Sequence, residues 1–136
     1  MFDIFLDSVG DVAVLQPDGR FVQADAVFAL RYAVTSLGNA RAIVLDLSEV
    51  EALGDGGLDM LASLHQWTCA HCIGLKLFNP SNFVQQRLDR ANWAWLPEVA
   101  SRGEILAILA AASEQKQSLS KGADYAGASL FLRTSG

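Results

Sequence analysis

Cysteine and histidine are scarce in this 136-residue chain, with two of each. Both cysteines fall in one tetrad, Cys69-Ala-His-Cys72, so there is no framework of the kind that staples small exported domains. A zinc reading of that tetrad, with His65 one turn earlier, lacks the second ligand pair that closes such a site, and Cys72 falls at the end of the helix. A redox Cys-x-x-Cys normally precedes its helix, whereas this one ends it. The expectation is structural cysteines, no metal and no cofactor. Basic residues are also in short supply. Ten Lys and Arg against fifteen Asp and Glu leave a net charge of −5, which repels nucleic acid and anionic membranes. No apolar run approaches the ~20 residues that span a bilayer. The start, Met1-Phe-Asp-Ile-Phe-Leu-Asp7, lacks the basic opening of an export signal, so a cytoplasmic protein is expected.

About half of the residues are hydrophobic, enough for one domain with a real core. Phe2–Leu6 and Asp11–Gln16 read as strands, with Pro17-Asp-Gly19 as a turn behind them. Asp25–Leu37 reads as a helix, with Val27, Leu30, Val34 and Leu37 on one face. Ala42–Leu47 is an unbroken apolar run, the pattern of a strand covered on both faces. A second helix spans Leu58–Ala70, with Leu58, Leu61 and Leu64 inward, and a strand follows over Ile73–Phe78. Ser81 is a plausible N-cap for a third helix through Arg90. Ser101-Arg-Gly-Glu104 forms a capping box for a fourth. Alternating strands and helices indicate an α/β sandwich.

Three pieces then stand in order: Ala42-Ile-Val-Leu-Asp-Leu-Ser-Glu-Val50, Gly54-Asp-Gly-Gly-Leu58 and Leu75-Lys-Leu-Phe-Asn-Pro80. Together they resemble the STAS family, the anti-sigma factor antagonist domains that also occur attached to sulfate transporters. The resemblance runs from about Val12 to Leu109. It implies an α/β, STAS-like fold, a central mixed sheet of four to five strands covered by about four helices. That domain is expected over residues 1–112, with a polar tail at 113–136 that ends in the apolar patch Leu130-Phe-Leu132.

The resemblance also implies a function, regulation by protein binding rather than enzymatic chemistry. The partner would be a kinase-type anti-sigma factor of a bacterium, freed from its sigma factor when this domain binds. The alternative is a STAS subunit that regulates the ATPase of a lipid-transport ABC complex. The family loop has the form Asp-Ser-Ser-Gly-Leu, and its first serine is phosphorylated in members that switch. Here Gly54 stands at the Asp, Asp55 at the first Ser and Gly56 at the second, while Gly57 and Leu58 match. The binding role therefore carries over, and the serine switch does not.

The loop also has its own physics. A helix start presents four N–H groups without partners and a partial positive charge. Asp55 is expected to serve as N-cap there, worth ~1 kcal/mol over Ala, and it acts either as a helix cap alone or also as a fixed negative charge in place of a phosphoserine. The expected partner surface is Gly54, Asp55, Gly56, Gly57 and Leu58 with the helix face Asp59, Ser63 and Gln66. Phe28 and Tyr32, four apart and turned away from the first helix's apolar face, form a second candidate surface. They would be covered by Tyr125 and the Leu130–Leu132 patch, by a second copy in a homodimer, or by a foreign partner. Trp93 and Trp95 are expected in the core. A receiver-like phosphoaspartate fails for want of clustered carboxylates to hold Mg²⁺, with Asp46 inside a strand. Neither histidine has the context of a nucleophile's partner, and Gly54-x-Gly-Gly is too short for a phosphate loop.

Overall fold

The computed structural model describes residues 2–91 and 96–122, with residues 114–122 as backbone alone. In chain order the elements are strands β1 (Phe2–Val9) and β2 (Val12–Phe21), helix α1 (Ala24–Thr35), strands β3 (Ala42–Asp46) and β4 (Val50–Leu53), helix α2 (Asp55–Ala70), strand β5 (Gly74–Phe78), helix α3 (Asn82–Arg90), strand β6 (Glu98–Ala100) and helix α4 (Arg102–Gly122). They build a mixed sheet in the order β1-β2-β3-β5-β6, with β4 attached to β2. Among the described residues only the β1–β2 hairpin is antiparallel, and every other pairing is parallel. This is the expected α/β architecture, with six strands where four to five were predicted.

The extra strand comes from two local features. Pro17-Asp-Gly19 is not a turn, because β2 runs straight through it and pairs Pro17 with Ile4 and Gly19 with Phe2. A register shift between Gly19 and Arg20 bends the strand, and its last residues then pair with β4. Gly19, at φ +115°, supplies the backbone freedom that such a bulge requires. Val12–Leu15 pair with β3 on one half of β2, and Gly19–Phe21 pair with Val50–Leu53 on the other. The segment read as a flexible approach to the second helix is thus a short parallel strand.

Strand alternation sorts side chains to two faces. Ala13, Leu15, Phe21, Ile43, Leu45, Leu75 and Leu77 point to one side and are buried under α1, α2 and α3. Leu30 and Val34 of α1, Leu61 and Leu64 of α2, and Val84 and Leu88 of α3 meet them there, while Val27, Leu37 and Leu58 are half-buried at the margin. The other face carries Val12 and Val44, covered by Ile105 and Ala112 of α4. That helix begins with the predicted capping box: the Ser101 amide donates to Glu104 Oε1 at 3.1 Å, and the Glu104 amide to Ser101 Oγ at 3.2 Å. The helix continues to Gly122, through the expected boundary at residue 112. The residues expected to cover Phe28, Tyr125 and Leu130–Leu132, lie outside the described residues, as do Trp93 and Trp95.

Ser81 is the N-cap of α3, as predicted, accepting from the Val84 amide. Its hydroxyl also donates to the Val50 carbonyl at 2.7 Å. The start of α3 is therefore tied to β4, and through β4 to the start of α2.

Candidate partner-binding surface

The junction Leu53-Gly-Asp-Gly-Gly-Leu58 has almost no turn. Gly54, with φ −86° and ψ −177°, is the extended N-cap of α2, and its amide bonds back to the Phe21 carbonyl at 3.3 Å. Asp55 is consequently the first helical residue rather than the cap, and no side chain caps this helix. Gly tolerates the N-cap position well. The Asp55 carboxylate reaches elsewhere, accepting a hydrogen bond from Arg87 Nη2 of α3 in an ion pair. The Asp55 side chain is 93% exposed and that of Arg87 only 35%. The expected cap bond is absent, and in its place stands a contact between two helices.

The three glycines differ in what surrounds them. A β-carbon at Gly56 would meet nothing within 4 Å, and one at Gly54 would meet only Val22 at ordinary distances. A β-carbon at Gly57 would fall 2.4 Å from Leu53 Cδ1, so any side chain here would have to displace Leu53 of β4. The first turn of α2 is therefore a low platform, open at Gly56 and closed at Gly57.

From that platform a groove of about 550 Å³ runs between α1 and α2, with Val27, Phe28, Arg31, Gly56, Asp59 and Ser63 among its lining residues. Residues from both candidate surfaces thus lie along one depression. Phe28 is 69% and Tyr32 70% exposed, the latter in a shallower hollow with Asp25 and Ala29. Asp59 is exposed and Ser63 half-buried. Gln66 is exposed one turn further along α2 and does not line the groove.

At the far end of α2, Cys69 and Cys72 are both free and exposed rather than packed as structural thiols. Cys72 has φ +58° and ends the helix in a left-handed turn. His71 stacks on Trp67 with ring centroids 4.2 Å apart, and its Nδ1 lies 2.8 Å from the Trp67 carbonyl oxygen. Among the described residues no three His, Cys, Asp or Glu side chains converge as a metal set.

Arg87 was not singled out from the sequence. It lies 32 residues beyond Asp55, and no local spacing links the two. The available signal was indirect: Asn79-Pro80-Ser81 starts α3 beside β4, which places the second turn of α3 near the start of α2.

Comparison with known proteins gives a consistent result. Among curated proteins no relative matches the chain. Among solved structures, an anti-sigma factor antagonist from Mycobacterium paratuberculosis aligns at 21% identity and a TM-score of 0.59, covering 80% of this chain and 94% of that one. The Bacillus cell fate determinant SpoIIAA in its phosphorylated form aligns at 16% identity and 0.58, covering 79% and 99%. A Ser-to-Glu variant of RsbS from Moorella thermoacetica aligns at 12% identity and 0.58, covering 82% and 97%. At such identities the likeness establishes a shared fold. The family model for the STAS domain matches residues 5–101, which include both the loop and Arg87, and the chain therefore belongs to the STAS domain family.

Proposed function

We propose that this STAS domain is a regulator that works by binding a protein, and that its partner is a kinase-type anti-sigma factor. The contact surface is the loop Gly54–Leu58 with Asp59, Ser63 and Gln66 on α2, extended across the groove to Phe28 and Tyr32. The observation that carries this reading is the continuity of three features: an open helix start, an apolar groove and two exposed aromatics. Exposed aromatics beside a concave apolar surface are the usual anchors of a protein interface. The structural neighbours include an anti-sigma factor antagonist, and the partner class proposed here follows from that likeness. One of those neighbours was seen phosphorylated. The loop here holds no hydroxyl residue, so this domain binds without a serine switch at that position. It acts as a cytoplasmic protein and performs no chemistry of its own.

The test is titration calorimetry of the domain against the kinase-type anti-sigma factors of its host, with the ATPase of a lipid-transport complex as a second titrant. Gly56→Arg places a long side chain on the open platform without a clash in the fold, and it should weaken binding at least tenfold, about 1.4 kcal/mol. Binding to the transporter ATPase alone, or binding to the anti-sigma factor that ignores Gly56→Arg, would refute the reading.

A further inference from the structure

We infer that Arg87 sets the charge at position 55 of the partner surface, holding the Asp55 carboxylate in a balanced pair so that the first residue of α2 meets its partner as an ion pair rather than as a free anion. The inference concerns the same surface as the proposed function, but its first test needs no partner at all.

Sequence alone gives this loop a permanent negative charge, since Asp55 is its only ionisable residue. Geometry removes that charge. The Asp55 side chain projects into solvent, where it would otherwise act as a free anion, and Arg87 Nη2 donates to its Oδ1. The Arg87 stem is about two-thirds buried, and its Nε is shut off from solvent with no hydrogen-bond partner among the described residues. A guanidinium held by its stem presents its outer nitrogens at a fixed place, so forming the pair costs little further side-chain entropy. An exposed pair of this kind contributes little to folding stability. Its main consequence is therefore electrostatic, and it falls on the platform where a partner would dock.

Balance also gives the two single substitutions opposite effects, which cancel when they are combined. Arg87→Gln uncovers an anion at the helix start. Asp55→Asn uncovers a cation that reaches the same spot from α3. The double substitution removes both charges and restores the balance at this position. Asp55 therefore does not act as a stand-in for phosphate, and removing its charge alone does not improve the surface.

The partner-free experiment places a single thiol at residue 56 in a chain carrying Cys69→Ser and Cys72→Ser. Gly56→Cys is suited to this because its β-carbon meets no other atom. The rates of modification by an anionic and a cationic methanethiosulfonate of similar size are compared, with far-UV circular dichroism confirming the fold of each variant. Arg87→Gln should shift the cation-to-anion rate ratio toward the cation by about fivefold at low salt, as expected for one weakly screened unit charge on the adjacent residue. Asp55→Asn should shift it the other way. The double variant should return to the starting ratio, and Arg87→Lys should keep it. An unchanged ratio in both Arg87→Gln and Asp55→Asn overturns the inference. The second arm repeats the series by calorimetry with the anti-sigma factor, where Arg87→Gln should weaken binding several-fold and Asp55→Asn in that background should restore it. If no anti-sigma factor binds the unmodified domain, the proposed function falls, and the thiol rates still decide the role of Arg87.

Discussion

A β-carbon on Gly57 would lie 2.4 Å from Leu53 Cδ1 and 3.2 Å from the Phe21 carbonyl oxygen. Gly57 is buried in the first turn of α2, and Leu53 ends the strand that β2 reaches only by way of its bulge. Helix and strand thus approach as closely as an absent side chain allows. The contrast with Gly56, one residue earlier and open to solvent, separates a packing glycine from a surface glycine.

Gly57→Ala should therefore destabilise the domain by about 1–3 kcal/mol, the usual range for overpacking a core. Gly56→Ala should be neutral or stabilising by up to ~1 kcal/mol, because alanine is the better helix former. Urea unfolding of both variants checks this. Equal effects at the two positions would contradict the packing account.

Ser81 holds two positions at once, capping α3 and bonding to Val50 of β4. Ser81→Ala removes both contacts and leaves the Val50 carbonyl without that donor, for an expected loss of about 1–2 kcal/mol. Hydrogen exchange should show the loss concentrated at the first turn of α3 and in β4. Faster exchange confined to α3 would mean that the Val50 bond contributes nothing.

These two sites also mark how far the sequence could be read. Capping chemistry was legible because it is local: Ser81 and the Ser101–Glu104 box act over three residues and sit where predicted. The sheet's interior was legible because Ile43, Val44 and Leu45 are apolar and buried on both faces. Pro17-Asp-Gly19 misled because a turn signature also fits a bulge, and only pairing with β1 and β4 selects between them. Val50–Leu53 was lost because four residues offer too short an alternation to register as a strand. Asp55 was correctly placed on the surface but given the wrong neighbour, since its bond runs to another helix rather than along its own.

The Lys76–Glu98 pair joins adjacent parallel strands, with Nζ 2.5 Å from Oε2. The hydrogen bond from Lys76, and then its charge, hold the Glu98 carboxyl below its ordinary value of 4.5, with a smaller contribution from His65. A carboxyl depressed on folding adds stability above its unfolded pKa and loses it as pH falls through the folded one. The difference in melting temperature between wild type and Glu98→Gln should thus be constant at neutral pH and shrink below pH 4.5. Because the Glu98 side chain is exposed, high salt should shrink it as well. A gap that widens on acidification would show that the pair does not stabilise β6.

The last prediction concerns modification of the loop. A serine kinase leaves a stable ester on a hydroxyl, and the segment from Leu53 to Leu58 contains none. The Asp55 carboxylate could at most form an acyl phosphate rather than a stable ester, and one of its two oxygens, Oδ1, is engaged by Arg87. Incubation with a kinase-type anti-sigma factor and ATP should leave peptides covering this segment unmodified, while Asp55→Ser should gain ~80 Da there. Position 55 is freely accessible, so the variant tests whether the missing hydroxyl alone blocks transfer. Peptide mapping is needed alongside intact mass, because Ser48 and Ser63 lie on either side. In the variant Arg87 loses its carboxylate, and a phosphate at residue 55 would offer it a stronger acceptor. Adding Arg87→Gln to Asp55→Ser should then speed removal of the phosphate by a phosphatase. A wild-type loop that acquires stable phosphate would refute the absence of a switch, whereas an Asp55→Ser loop that stays bare would show that the partner kinase does not address this platform.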